Sequence, residues 1–570
     1  MFHCCSRQPM ALPVFFIMLM LAACQSPPPV MQATGEGAAV HRRGVIACVH
    51  PVAAAAATDA YEKGGNAVDA AIAAALTLGV VDGHNSGIGG GCFVLIRKSD
   101  GTLIAIDGRE TAPAAATADM YLRNGKADTT LSQTGALAIG IPGAVAAYDH
   151  ALRDAGRLTL ADLLRPAADV AERGFILDAP HAARLRNSAA TLARFEGSRG
   201  NLIAPDGKPW PKGHLLRQPE LAKTYRNIAT QGIAYFYGGP FAQSVETWMK
   251  KNNGLVTARD FADYRIRQRQ PLIATYRGFT IVTFPPPSSG GVHLLQMLNI
   301  LEQADITAMD RVDRPGRLHL TAEAMKLAFA DRAYWLGDPD FAAVPRGLVD
   351  KSYAARLYAQ IQPDRVLSVD AHGEPDPGSG HFGKHTTHIA AADVEGNWVA
   401  ITATVNTSFG SKVVIPGTGV VMNNQMDDFA LQPNIANAFG LLGAQANSVA
   451  PGKRPLSSMT PTIVLRDGQP VLTLGAAGGP TIINAVFTTL VGYADLGLSP
   501  AAAVAAPRLH HQWRPDELRL ETSHDPADIA KLRERGHQVR QVSHIAVLQA
   551  IGVDAGGVWQ AASDPRVTAE

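Results

Sequence analysis

The chain has 570 residues, enough for one large buried core or several ordinary domains. Hydrophobic residues make up 46% and charged residues 18%, a globular balance that excludes a disordered chain. With 51 basic and 50 acidic residues the formal net charge is +1, so no field of one sign is available to hold nucleic acid, and no basic run is interleaved with aromatics.

At the N-terminus, Arg7 precedes the apolar run MALPVFFIMLMLAA. The run is short for a membrane span and suits the core of a signal peptide. Leu21 to Cys24, LAAC, resembles a bacterial lipobox, in which small residues fit the peptidase and the Cys thiol takes the lipid. An ordinary signal peptide cut nearby is the plainer alternative. The Cys favours residues 1–23 as a lipoprotein signal, with Cys24 lipidated. Gln25 after the Cys implies, by the same resemblance, an exported protein on the periplasmic side of the outer membrane. Residues 24–43, with their Pro, Gly and polar content, read as a flexible tether. Of the five cysteines, Cys4 and Cys5 leave with the signal and Cys24 carries lipid. Cys48 and Cys92 then allow at most one disulfide, and neither sits in a CxxC pair.

GVIACVHP, from Gly44, predicts a short strand. The following Ala-rich segment predicts two helices broken at Gly64-Gly65, the second a buried core helix despite Asp69. GHNSGIGGGCFVLIRK carries a glycine cluster, but it follows a helix and precedes a strand. The dinucleotide fingerprint needs the opposite order, so the glycines read as a close approach of backbones. FVLIRKSDGTLIAIDGRETAP alternates around an Asp-Gly turn and predicts a β-hairpin with Arg109 just past its second strand. A mainly helical stretch runs to about Gly254. YRGFTIVTFPPPSSGG predicts a strand ending in a Pro-rich turn, followed by amphipathic helices over HLLQMLNILEQ and LHLTAEAMKLAFADRAYWLG. Residues 363–383, rich in Gly, Pro, Ser and Asp, predict a long exposed loop. Beyond it THIAAAD and WVAITATVN predict a hairpin. GTGVVMNNQ, TIVLRDGQPVLTLGAAGG and VLQAIGVDAGGVWQAASD predict further strands, with TIINAVFTTLVGYADLG a helix between them. Helices and strands mix without strict alternation, which predicts an α+β layered fold with antiparallel sheets.

The segment KHTTH, Lys384 to His388, poses the chemical question. His381, His385 and His388 have helical spacing and could form a metal face. The flanking PDPGSG, Gly383 and the strand pattern after His388 oppose a helix, and in a strand His385 and His388 point to opposite faces. If Ala392 lies opposite Trp398, the antiparallel register places Thr386 across from Thr404 and His388 across from Thr402, with Cβ atoms roughly 5 Å apart. Thr favours strands, so on the residues alone this row of hydroxyls reads as strand surface. Thr also has a chemical option: once the peptide bond before it is cut, its own α-amino group can serve as the base its hydroxyl needs. No GxSxG elbow is present, and PLSSMTP lacks the Lys of an SxxK site.

With these segments in view, the chain from about Gly44 to the C-terminus resembles the gamma-glutamyltransferases (gamma-glutamyl transpeptidases) of the N-terminal nucleophile hydrolase superfamily. The motifs that carry the resemblance, in the family's order, are GGNAVDAA, DGRETAP, PPPSSGG, LGDPDF, TTH with GNWVAITATVNTSFG, NNQMDDF, GKRPLSSMTPTIV, GAAGG and ASDPR. The resemblance implies a four-layer αββα sandwich and a precursor that cuts itself between His385 and Thr386. A large subunit, residues 44–385, and a small catalytic subunit, residues 386–570, would then form a heterodimer.

The resemblance also implies roles. Thr386 would be the nucleophile and, through its freed amine, the base; Thr404 would hold both groups in place. Gly478 and Gly479 would supply the oxyanion-hole N–H groups. Arg109, Ser457 and Ser458 would take the carboxylate of a γ-glutamyl head, and Asp428, Asn406 and Gln425 its ammonium. Glutathione is the expected donor, and water or the amine of an amino acid or peptide the acceptor. No metal or organic cofactor is implied. Two departures stand out. Ala390 occupies a position that is usually Ser or Thr. Phe439 occupies the lid position that is often Tyr, so its ring cannot hydrogen-bond to Asn406 and a looser lid is expected. A cephalosporin-type acylase with the same fold and nucleophile is the nearest rival.

Overall fold

The computed structural model describes residues 1, 29–376, 388–432 and 435–568. Two seven-stranded sheets form its centre. The first runs, edge to edge, Arg267–Arg269, Leu103–Gly108, Gly91–Arg97, Trp398–Thr404, Ile389–Asp393, Gly44–Ala47 and Ala38–His41, antiparallel throughout. The second runs Met31–Thr34, Trp559–Ser563, Val547–Val553, Gln469–Ala477, Thr462–Arg466, Phe279–Thr283 and Leu272–Tyr276, antiparallel except for the parallel first pair.

Strand periodicity stacks the layers. In the central hairpin Ile389, Ala391, Val399, Ile401 and Ala403 join the core shared with the helices Pro51–Glu62 and Ala67–Val81. Their alternating neighbours Ala390, Ala392, Trp398 and Ala400 join the core between the sheets. Buried on both faces, these strands lose the polar alternation of a solvated sheet. The helices Gly290–Leu301, Arg314–Trp335 and Thr481–Ala494 contribute to the second core, and the first and third of these lie on strands of the second sheet. The layer order is therefore helix, sheet, sheet, helix.

The helix Ala67–Val81 is buried along its whole length, as its Ala-rich sequence predicts. Its one acid, Asp69, forms a capping box with Asn66 and accepts the backbone N–H groups of Arg157 and Leu158 at 2.9–3.0 Å, so its carboxylate is satisfied without water. Cys48 and Cys92 are both buried free thiols.

Three sequence expectations need correction or limits. The tether does not extend to residue 43. Met31–Thr34 pairs with Trp559–Ser563, and Ala38–His41 pairs with Gly44–Ala47, because the TGEG turn lets two short runs dock on exposed sheet edges. GTGVVMNNQ is not a strand; its only ladder contact among the described residues is an isolated bridge between Val414 and Val421. The loop from 363 carries no helix or strand as far as residue 376.

Trp398 fills the space between the sheets. It is 1% exposed, and its ring meets that of Trp559 at 5.2 Å between centroids, tilted by 61°. Trp398→Ala is expected to lower stability by about 3–5 kcal/mol through the cavity it leaves, read as a fall in the thermal unfolding midpoint. An unchanged midpoint would contradict this account of the inter-sheet core.

Candidate active site

The hairpin at the centre of the first sheet has the expected register: Ala392 pairs with Trp398, Ala390 with Ala400 and Ile389 with Ile401. Thr404 ends the second strand and pairs on its other side with Gly91. Its Oγ accepts the N–H of Asn406 at 2.8 Å. Asn406 adopts a left-handed backbone, φ 81°, which turns the chain out of the strand, and its Nδ2 donates to the Asn424 carbonyl at 3.0 Å. Thr386 and His385, the expected nucleophile and its neighbour across the cut, lie outside the described residues, as does Cys24.

The glycine cluster serves close packing. A Cβ on Gly90 would lie 1.8 Å from the carbonyl oxygen of Thr404, and one on Gly89 2.1 Å from that of Val421. One on Gly91 would lie 2.4 Å from a Glu110 carboxylate oxygen. The cluster thus passes between the Thr404 strand, the 421 segment and the start of the DGRETAP motif.

Arg109 and Asp428 meet directly. Arg109 follows the strand Leu103–Gly108, and Asp428 ends the short 3₁₀ helix Gln425–Asp428. Arg109 Nη2 donates to Asp428 Oδ2 at 2.6 Å and to the Leu456 carbonyl at 3.2 Å, while its Nε donates to the Pro455 carbonyl at 3.1 Å. Gln425 Nε2 donates to the same Asp428 oxygen at 2.7 Å. The Gln425 Oε1 is buried with no hydrogen-bond partner among the described residues, leaving an acceptor free. Ser457 and Ser458 follow these carbonyls. Ser457 N–H donates to the Pro287 carbonyl at 2.6 Å, and Ser458 Oγ accepts from Arg332 at 3.2 Å.

Gly478 and Gly479 lie between the strand Gln469–Ala477 and the helix Thr481–Ala494, with φ of 144° and 60°. Both values fall where L side chains are strained, and the position just before a helix leaves backbone N–H groups to bind an oxyanion. The Phe439 ring rests on this turn: a Cβ on Gly479 would lie 2.6 Å from Phe439 Cδ1. The lid segment is anchored through other groups than this ring. Ala438 N–H donates to Asp427 Oδ2 at 2.9 Å, and Asn437 Oδ1 accepts the N–H groups of Phe439 and Leu441 at 3.0 and 3.1 Å. Asn437 Nδ2 also approaches Asp428 Oδ1 at 3.4 Å, which links this segment to the Arg109–Asp428 pair.

Sequence reasoning missed Asn437 and Glu110. An Asn two residues before the lid aromatic was the available signal for the first. Glu110 follows Arg109 in DGRETAP and is fully buried. Neither of its carboxylate oxygens has a well-formed hydrogen bond among the described residues, and the closer one is 3.8 Å from Arg109 Nη1. Burial pushes its pKa up to about 7, against the opposing pull of Arg109.

One cluster has metal-ligand chemistry. His319, Glu323 and His537 bring ligand atoms within 4.8 Å of one another. The two rings hydrogen-bond to each other at 2.7 Å, and the Lys326 ammonium lies 3.0 Å from Glu323, so an internal cation already balances the carboxylate. His388, the last of the three histidines with helical spacing, is buried, and that burial draws its pKa down to about 3.

Comparison with known proteins agrees with this geometry. The family model described as Gamma-glutamyltranspeptidase matches residues 53–570. The chain is 41% identical over 530 residues to the glutathione hydrolase proenzyme of Escherichia coli strain K12, covering 92% of this chain and 90% of that one. The crystal structure of a cephalosporin acylase from Bacillus halodurans superposes with a TM-score of 0.82 at 28% identity, covering 96% of this chain and 98% of the other. That of the Helicobacter pylori gamma-glutamyltranspeptidase gives 0.57 at 37% identity, covering 61% of this chain and 98% of the other. From its sequence across nearly the whole length and its layered sheets, the chain belongs to the gamma-glutamyltranspeptidase family.

Proposed function

We propose that the protein is a self-processing gamma-glutamyltransferase and glutathione hydrolase. The observation that carries this reading is the buried Arg109–Asp428 pair, 2.6 Å apart at the mouth of a row of serine and amide groups. A γ-glutamyl head is a zwitterion. Its α-carboxylate can replace Asp428 on Arg109, and its ammonium can replace Arg109 on Asp428, so every charge is compensated before and after binding. Ser457 and Ser458 offer hydroxyls on the carboxylate side. Asn406 and the free Gln425 Oε1 serve the ammonium side.

Processing comes first. The Thr386 hydroxyl attacks the His385 carbonyl, and the peptide nitrogen leaves as the new Thr386 amine. Water then cleaves the ester to free the His385 carboxylate. In catalysis the Thr386 amine takes the proton as Oγ attacks the γ-carbonyl. The oxyanion rests on the Gly478 and Gly479 N–H groups, each worth about 3 kcal/mol in the transition state. The amine product leaves with the proton, and a γ-glutamyl ester remains on Thr386. Water gives glutamate; an amino acid or peptide amine gives the transfer product. Thr404, whose Oγ is fixed by the Asn406 N–H, orients the nucleophile. The two pieces, residues 44–385 and 386–570, stay paired because in both sheets the strands of the second are flanked on either side by strands of the first, to which the strands at 31–41 belong. The lipobox at Leu21 to Cys24 supports export and an outer-membrane lipid anchor as part of this reading.

The acylase reading rests on the similarity to the Bacillus halodurans structure. An acylase for glutaryl-type side chains has no ammonium to bind and no use for Asp428. The purified protein is expected to release the chromophore from a γ-glutamyl anilide much faster than from the matching glutaryl anilide. Preference for the glutaryl compound would overturn the assignment.

Glu110 adds a pH signature. Its carboxyl value is raised from 4.5 to about 7, so the folded protein holds a proton that the unfolded chain releases over that interval. Stability from this group is therefore present at low pH and lost as pH rises through that window. Glu110→Gln is expected to gain in thermal midpoint relative to the wild type between about pH 5 and pH 8. A difference that stays constant across that range would contradict the burial account of Glu110.

A further inference from the structure

Arg332 lies in the last turn of the helix Arg314–Trp335 and is 5% exposed. Its Nε donates to Ser289 Oγ at 2.9 Å and its Nη2 to Ser458 Oγ at 3.2 Å. Among the described residues no carboxylate forms an ion pair with it; Asp428 acts on it only through space. The equally buried Arg109, Arg454 and Arg508 each meet a carboxylate, at 2.6, 2.5 and 2.7 Å. Burial draws the Arg332 pKa down to about 10, so it stays charged at neutral pH. A buried cation held by two neutral hydroxyls alone is expensive, and it stands beside the pocket where a substrate carboxylate is expected.

The hydrogen-bond directions around Arg332 are constrained. Ser289 Oγ accepts from Arg332 and donates to the Ser457 carbonyl at 2.7 Å, and the Ser289 N–H reaches the same carbonyl at 2.8 Å. Ser288 Oγ donates to the Met459 carbonyl at 2.6 Å. The PPPSSGG turn therefore clamps the backbone on either side of Ser458. Ser458 Oγ, already an acceptor from a guanidinium, keeps its proton for another partner, and that proton meets no protein acceptor among the described residues. A guanidinium donor also polarises the hydroxyl and makes it a stronger donor.

We propose that Arg332 is a positioning and specificity-determining residue for the donor's α-carboxylate: it turns the Ser458 hydroxyl proton toward that carboxylate and finds in it the counter-ion that no described residue supplies by direct contact. This rests on the γ-glutamyl reading above. The proposal gives the ADR segment of the long helix and the PPPSSGG turn a shared task, selection for a donor that carries an α-carboxylate.

The test compares two donors on the full processed protein: γ-glutamyl-p-nitroanilide, and 4-aminobutyryl-p-nitroanilide, which lacks the α-carboxylate. Arg332→Met is expected to raise KM for the γ-glutamyl donor about tenfold or more with kcat nearly kept, the loss typical of a hydrogen bond to a charged group. The preference for the γ-glutamyl donor, as a ratio of kcat/KM values, should fall by a similar factor. A purely structural role would reduce both donors alike. Should Arg332→Met yield no processed protein, Arg332→Lys, which keeps the charge but loses the planar fork, is measured in the same way and must also lower the ratio. Wild-type protein that cleaves neither donor overturns the parent reading. Wild-type protein that prefers the γ-glutamyl donor, with the variant measured keeping that preference, overturns this inference alone.

Discussion

Arg109 and Asp428 come from distant parts of the chain and meet in the interior, their side chains 1% and 12% exposed. A buried ion pair is a weak source of stability, since desolvation offsets most of the attraction. Its value here is positional. The Pro455 and Leu456 carbonyls hold the guanidinium, and Gln425 holds the carboxylate. The two charges are therefore already in place for a ligand that carries the opposite pair. A zwitterionic head can exchange into this arrangement without leaving either protein charge uncompensated, whereas a ligand with only one charge would strand its opposite.

The rest of the site is arranged around that exchange. The glycine cluster brings the Thr404 strand, the 421 segment and Glu110 within backbone distance, which side chains at those positions would prevent. The turn Gln425–Asp428 carries Gln425 and Asp428 and, through Asp427 and Asp428, also holds Ala438 and Asn437. Phe439 lies on Gly479, so one segment touches both the glycine turn before the helix Thr481–Ala494 and, through Asn437, Asp428. The backbone around Phe439 is held by the Ala438 N–H on the Asp427 carboxylate and by the Phe439 and Leu441 N–H groups on the Asn437 side-chain oxygen.

Local pattern carried much of this in the sequence. The short loop between IAAAD and WVAITAT suggested the hairpin, and the register taken there, Ala392 opposite Trp398, is the observed one. The order of the glycine cluster, after a helix and before a strand, excluded a nucleotide loop. Other features depend on contacts that no short window contains. MQAT and AAVH became strands because open sheet edges were there to receive them, while composition alone read them as tether. GTGVVMNNQ has strand-forming residues but, among the described residues, makes only the isolated bridge of Val421 to Val414. Glu110 and Arg332 looked like ordinary charged residues beside motifs; what distinguishes them is that, once buried, Glu110 has no well-formed hydrogen bond and Arg332 no ion pair among the described residues, which only packing reveals. The four-layer order was legible through family resemblance, and two sheets with helices on their outer faces bear out the layers.

The central claim is that the chain becomes an enzyme by cutting itself before Thr386, so that one residue supplies both nucleophile and base. The most direct measurement is the intact mass and N-terminal sequence of the purified protein, alongside Thr386→Ala. The account predicts two tightly associated fragments, the smaller beginning at Thr386 and ending at Glu570, and a single uncut, inactive chain for the variant. A wild-type protein that stays in one piece while cleaving γ-glutamyl donors would contradict it.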